Sequence, residues 1–197
     1  MSREPNYNVT GAWLEGDDPG DRKFVKIGSL LLENGETLPD ITIAYQSWGT
    51  LNADKSNAIL VNHAMTGWSD VPGWWPQMVG PGLPFDTDKY FIICPNVIGG
   101  CQGSTGPSSI ASDGKRYGSR FPIITIRDMV NAEVAFSDAI GIEKYVLAIG
   151  PSLGGMRSLE WGAVATSRGS NLHDWIISSC YRRSNRNLLG ADSGDQI

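Results

Sequence analysis

The residues best suited to chemistry in this sequence are a serine and its closely spaced glycines, Gly150-Pro151-Ser152-Leu153-Gly154-Gly155. The spacing fits G-x-S-x-G, which is typical of a nucleophilic serine at a sharp turn between a strand and a helix. The apolar run Tyr145–Ile149 precedes the motif, and a helical pattern begins at about Leu153. Glycines are needed because flanking β-carbons would collide in such a strained turn. So short a pattern also arises by chance, and it is the flanking elements that favour catalysis.

Two backbone N–H groups are candidates for binding the negative charge that develops on a substrate carbonyl. The N–H of Leu153 lies at the start of the predicted helix, where it can donate to an oxyanion. The segment Asn62–Gly67 directly follows the strand-like run Ala58–Val61. A loop in this place supplies the second N–H in proteins with this serine turn, and the candidate here is the N–H of Met65. An ordinary strand-to-loop turn is the alternative interpretation.

A serine nucleophile also needs a general base, which is usually an imidazole oriented by a carboxylate. The sequence has two histidines. His63 precedes Ser152, whereas the base follows the serine in chains with this turn. His173 follows Ser152 but precedes the predicted strand Trp175–Ser179, so it falls at the amino end of that strand, away from the edge where such sites form. We therefore interpret both histidines as structural, and the triad is incomplete within residues 1–197.

The surrounding elements predict the sheet that this turn requires. Residues 24–32 and 41–48 flank Glu33-Asn34-Gly35-Glu36, which indicates a hairpin. Three short apolar runs predict buried parallel strands: Ala58–Val61, Tyr90–Cys94 and Tyr145–Ile149. Residues 126–140 have helical spacing, and Thr125 with Asp128 forms a predicted N-cap pair. Alternating strands and helices favour an α/β fold with a mostly parallel sheet.

Composition limits the other classes of function. The 197 residues fit one domain, which we place at 1–197, and 41% hydrophobic with 19% charged residues is typical of a folded soluble protein. A net charge of -5 without a basic patch argues against nucleic acid or an anionic membrane as a partner. No apolar run could span a bilayer and the start is unlike a signal peptide, so we expect a cytoplasmic protein. Cys94, Cys101 and Cys180 form no disulfide or metal pattern, so we expect reduced thiols and no metal.

Several stretches of the sequence carry a pattern beyond the serine motif: Cys94–Ser109, Tyr117-Gly118, Phe121-Pro122, Thr125–Val130, Gly150–Met156 and Leu159-Glu160-Trp161. Through them, residues from about Thr10 to Ala163 closely resemble homoserine O-acetyltransferase, an acyl-CoA-dependent family of methionine biosynthesis. The resemblance fades after about Ala163, and residues 68–70 read Trp-Ser-Asp where the family usually has Asp-Ser-His.

The resemblance implies an α/β-hydrolase core with a helical lid. It makes Ser152 the acylated nucleophile, Met65 and Leu153 the oxyanion amides, and the loop Gly99–Ser109 part of the wall around the acyl site. The implied reaction moves an acetyl group from acetyl-CoA to the hydroxyl of L-homoserine, with no bound cofactor; a homodimer is allowed. The family's triad Asp and His have no counterpart here. We therefore expect a chain truncated before the lid and those residues, with little activity of its own.

Three alternatives remain open. A related acyltransferase that uses another acyl-CoA, or that acts on L-serine or another alcohol, would share these motifs. A plain esterase would share the serine turn but not the Cys94–Ser109 stretch. A catalytically silent fragment of such an enzyme would explain the missing base.

Overall fold

The computed structural model describes residues 12–167 and 176–180, with side chains described to residue 164. Its strands are β1 (Lys23–Leu31), β2 (Thr37–Trp48), β3 (Ala58–Val61), β4 (Val79–Gly80), β5 (Phe85–Asp86), β6 (Phe91–Pro95), β7 (Leu147–Pro151) and β8 (Ile176–Cys180). Its helices are α1 (Val71–Trp74), α2 (Ile126–Ala139) and α3 (Leu153–Ser167), with a 3-10 turn at Gly118–Arg120. The main sheet has the order β1-β2-β6-β3-β7-β8, and β4 pairs only with β5.

The sheet opens with the predicted antiparallel hairpin and continues as the predicted parallel sheet. β1 pairs with β2 and β2 with β6 in antiparallel fashion, whereas β3, β6, β7 and β8 run parallel. Gly35 takes a positive φ of 87° in the hairpin turn. β2 begins at Thr37, four residues before the sequence predicted, because Leu38 still pairs with Leu30 beyond a bulge in β1. Pro39 and the left-handed Asp40 interrupt the strand pattern there.

The central strands are buried on both faces, as their unbroken apolar sequences predicted. Leu60 of β3 and Ile93 of β6 belong to the core that α2 and α3 cover, while their neighbours Ile59 and Ile92 belong to the core on the opposite face. Parallel strands covered on both faces have no polar side to reveal in the sequence. These strands carry the site at their carboxyl ends.

The two long helices begin where the sequence predicted. The Thr125 hydroxyl accepts the N–H of Asp128 at 3.1 Å, and the Asp128 carboxylate accepts the N–H of Thr125 at 2.9 Å, which completes a capping box.

Two strands differ slightly from the predicted bounds. β7 begins at Leu147 rather than at residue 145. Tyr145 is instead buried, with its hydroxyl 2.7 Å from that of Ser137 in α2 and its ring edge-on to Trp161. β8 lies one residue later than predicted. In the described part of the chain, no helix is long and apolar enough to cross a membrane.

Candidate functional site: a strained serine beside the loop after β3

Ser152 lies between the last residue of β7 and the first residue of α3. Its φ is +53°, in the left-handed region, where a residue with a side chain is strained by about 1–3 kcal/mol. The side chain is exposed at the carboxyl edge of the sheet. This is the strained strand-to-helix turn that the glycine spacing predicted. The next residue, Leu153, opens α3, so its N–H has no acceptor one helical turn earlier.

The two glycines of the motif are required by the loop after β3. A β-carbon on Gly150 or on Gly154 would collide with the carbonyl oxygen of Asn62, the first residue beyond β3. The N–H of Asn62 donates to the carbonyl of Ile149 at 2.7 Å, which extends the pairing of β3 with β7. The serine turn and the loop after β3 are therefore packed backbone against backbone.

The loop after β3 makes a tight turn around Met65. The N–H of Gly67 donates to the carbonyl of Ala64 at 2.8 Å, which closes the turn. The Met65 side chain is 74% exposed, so it contributes little packing. Met65 and Leu153 nevertheless line the same cavity. The structure thus brings together both residues whose backbone amides the sequence suggested as oxyanion donors.

His63 is buried in this loop and both ring nitrogens are engaged. Nε2 accepts the backbone N–H of Val97 at 3.1 Å, so Nδ1 carries the proton and donates to the carbonyl of Ala64 at 2.7 Å. Burial, reinforced by the nearby Arg157 guanidinium, lowers the pKa of His63 to about 3. A neutral ring with no free nitrogen cannot accept a proton from Ser152, which supports the structural interpretation of His63. His173 lies outside the described residues.

A buried ion pair lies behind the loop and was not predicted from the sequence. Arg157 of α3 is fully buried; its Nη2 lies 2.6 Å from Oε1 of Glu133 in α2, and its Nη1 donates to the carbonyl of His63 at 3.2 Å. Nη2 also donates to the side chain of Asn62 at 3.1 Å. The Trp161 indole donates to Glu133 at 2.7 Å. Burial raises the pKa of Glu133, and the Arg157 guanidinium opposes that rise.

A signal for this ion pair does exist in the sequence. Glu133 falls three residues after Val130 and three before Phe136, so it lies on the apolar face of α2. An acid on an apolar face requires a buried cation as partner. The sequence pattern does not say which cation, because Arg157 is 24 residues away.

The cavity beside Ser152 has a volume of about 410 Å³ and a mainly apolar wall. Its lining is Met65, Val97, Ile98, Gly99, Gly100, Cys101, Pro107, Ser108, Phe121, Ile124, Met129 and Leu153. The loop expected to form the wall therefore contributes at both of its ends. A larger cavity of about 490 Å³ lies near Trp13, Phe24 and Tyr117. We assign the acyl site to the smaller cavity because Leu153, the residue after Ser152, and Met65 of the loop after β3 line it.

Serine chemistry is what this arrangement can perform. An exposed hydroxyl on a strained turn, at a cavity lined by Leu153 and Met65, suits attack on an acyl carbonyl. Within the described residues, no group of three or more side chains could hold a metal ion. Cys94 is buried and free, and burial raises the pKa of its thiol to about 12; Cys101 is free and exposed in the cavity wall.

The strand order and the left-handed serine between a strand and a helix are those of an α/β hydrolase. The family model described as alpha/beta hydrolase fold matches residues 57–172, and the chain belongs to that family.

Within that fold, the chain is a homologue of homoserine O-acetyltransferases. It is 54% identical over 175 residues to the homoserine O-acetyltransferase of Thermobifida fusca, a match that covers 83% of this chain and 46% of the relative. With that of Leifsonia xyli it is 49% identical, covering 78% and 40%. The chain thus spans just under half the length of these curated relatives.

Solved structures of the same fold include both transferases and hydrolases. Homoserine O-acetyltransferase from Bacillus anthracis superposes with a TM-score of 0.66 at 31% identity, over 72% of this chain and 42% of that one. Esterase E22 superposes with a TM-score of 0.68 at 33% identity, over 72% and 43%. Backbone similarity therefore does not separate acyl transfer to an alcohol from hydrolysis.

Proposed function

We propose that this chain carries the nucleophile and oxyanion half of an acyl-CoA-dependent O-acyltransferase. The observation that carries the proposal is the left-handed Ser152, whose neighbour Leu153 lines one cavity together with Met65. Ser152 is the acylated nucleophile, and the N–H groups of Met65 and Leu153 bind the oxyanion. Removing one donor of this kind lowers the rate by about 10²–10³.

The reaction is a double displacement. The Ser152 oxygen attacks the thioester carbonyl of acetyl-CoA, the carbon–sulfur bond breaks, and the CoA thiol leaves with the proton that the serine gave up. The hydroxyl of L-homoserine then attacks the acetyl-serine, forms the new ester and returns a proton to Ser152. The general base that moves these protons belongs to a part of the protein outside the described residues.

Homoserine as acceptor is supported by 54% identity to a homoserine O-acetyltransferase. Acetyl-CoA is then a co-substrate, no bound cofactor is needed, and the reaction belongs to methionine biosynthesis in the cytoplasm. The apolar wall of the cavity agrees with a small uncharged acyl group, since the described lining holds no lysine or arginine that would pair with a succinyl carboxylate.

Hydrolysis is the second candidate, because esterase E22 matches the fold as well as a transferase does. The two are separated by giving the full-length protein acetyl-CoA with and without L-homoserine, and measuring released CoA, acetate and O-acetylhomoserine. We expect CoA release that depends on homoserine, with the ester as the main product. Acetate as the main product in both reactions would favour the hydrolase. Parallel reactions with L-serine and with succinyl-CoA test acceptor and donor choice.

A further inference from the structure

The peptide unit between Ala64 and Met65 is fixed from its carbonyl side. A trans peptide is planar, so its C=O and N–H point in opposite directions. No cis peptide occurs among the described residues. The Ala64 carbonyl accepts two hydrogen bonds, from the N–H of Gly67 at 2.8 Å and from Nδ1 of His63 at 2.7 Å. Whatever holds this carbonyl therefore also aims the N–H of Met65.

His63 is itself held at both ring nitrogens and at its backbone carbonyl. Nε2 receives the N–H of Val97, two residues beyond β6. The backbone carbonyl of His63 receives Nη1 of Arg157, and Glu133 holds that guanidinium in place. The neutral ring thus acts as a rigid spacer between the loop after β6 and the loop after β3.

We propose that His63 is a positioning residue for acyl transfer: its Nδ1–H holds the Ala64 carbonyl so that the N–H of Met65 points at the substrate oxyanion. This inference rests on the proposed function of Ser152 and goes beyond it, because it gives the histidine before the nucleophile a role other than that of the base.

Two substitutions test the hydrogen bonds of the two ring nitrogens one at a time. The side-chain amide of asparagine ends near the place of Nδ1, so H63N can keep the donor to Ala64 and loses the acceptor of the Val97 N–H. The longer glutamine places its amide oxygen near Nε2, so H63Q keeps that acceptor and loses the donor. Each variant loses one buried hydrogen bond, so both should lose similar stability. Only H63Q removes the side-chain hydrogen bond to the Ala64 carbonyl, which then keeps the N–H of Gly67 as its single donor.

The rates of acylation should therefore differ although the stabilities do not. In the full-length protein we expect H63Q to lose about 10- to 100-fold more of kcat for CoA release than H63N, with KM for acetyl-CoA little changed, since an oxyanion donor contributes about 10²–10³. Equal losses, or a larger loss in H63N, would overturn the inference. A loss above about 10⁴ in both variants would make His63 the base and would overturn it too.

Isotope-edited infrared spectra of the acetyl-Ser152 carbonyl give a second readout. Weaker hydrogen bonding to that carbonyl raises its stretching frequency, so we expect a higher frequency in H63Q than in H63N. If H63Q does not fold, H63N decides alone: a raised frequency relative to wild type, or a loss of kcat above about tenfold, overturns the inference. If the wild type forms no acetyl-enzyme, both the proposed function and this inference are overturned. If the wild type is acetylated but H63Q and H63N lose equal activity, only this inference is overturned.

Discussion

The turn after β7 and the turn after β3 are neighbours at the carboxyl edge of the sheet, but they are held by different means. The first is held by its own backbone, with Ser152 in the left-handed region between glycines that leave room for Asn62. The second has a backbone hydrogen bond from Gly67 to Ala64 and is held in addition by side chains, since His63 and Arg157 bind its carbonyls. The second turn therefore depends on side chains of α2 and α3, and substitutions in those helices should disturb it.

The largest effect should come from the buried ion pair behind the second turn. Glu133→Gln leaves the Arg157 guanidinium without its buried counter-charge, and breaking such a pair costs about 3–5 kcal/mol. The matched control is Glu160→Gln, because Glu160 pairs with the exposed Arg127 across the same two helices and is itself only partly buried. Chemical denaturation of both variants should show a large loss for the first and little for the second. Equal losses would contradict the importance that we give to the buried pair.

The difference between the turns also decides what the sequence could predict. The serine turn follows from residues that are neighbours in the chain, so the motif, the flanking strand and the helix start were all predicted. So were the hairpin, the parallel strands and the capping box, because each depends on local periodicity or turn chemistry. The support of the second turn was missed. Val97, Glu133 and Arg157 reach it from 34, 70 and 94 residues away from His63, and no local pattern pairs them.

A smaller effect should appear in the pH dependence of stability. The pKa of His63 is about 3 in the folded protein and 6.5 in the unfolded chain. The unfolded chain therefore binds this proton more readily, and stability falls as the pH drops from 6.5 towards 3. At pH 5 the loss from this group is about 2 kcal/mol.

Urea unfolding of wild type and H63N at pH 7 and pH 5 tests this sign. The wild type should lose about 2 kcal/mol more than the variant between the two pH values, because the variant lacks the titrating ring. If both proteins lose the same stability, the ring is not held neutral by burial and Arg157.

The smallest effect on stability should come from the different backbone conformations of the two turns. Ser152→Gly should be more stable than Ser152→Ala by about 1 kcal/mol, because glycine is unstrained at positive φ. At Met65, which is not among the described residues with positive φ, the order should reverse, because glycine there only adds freedom to the unfolded chain. Thermal unfolding of the four variants measures both differences. If alanine were as stable as glycine at position 152, or more stable, the serine turn would store no strain.

The most direct test of the account is whether Ser152 itself takes up the acyl group. Full-length wild type and Ser152→Ala are mixed with acetyl-CoA, quenched and measured by intact-protein mass spectrometry, and the modified peptide is sequenced. The account predicts one acetyl group on the wild type, located on Ser152, and none on the variant. An acetyl adduct that persists in Ser152→Ala, or that lies on another residue of the wild type, would contradict it.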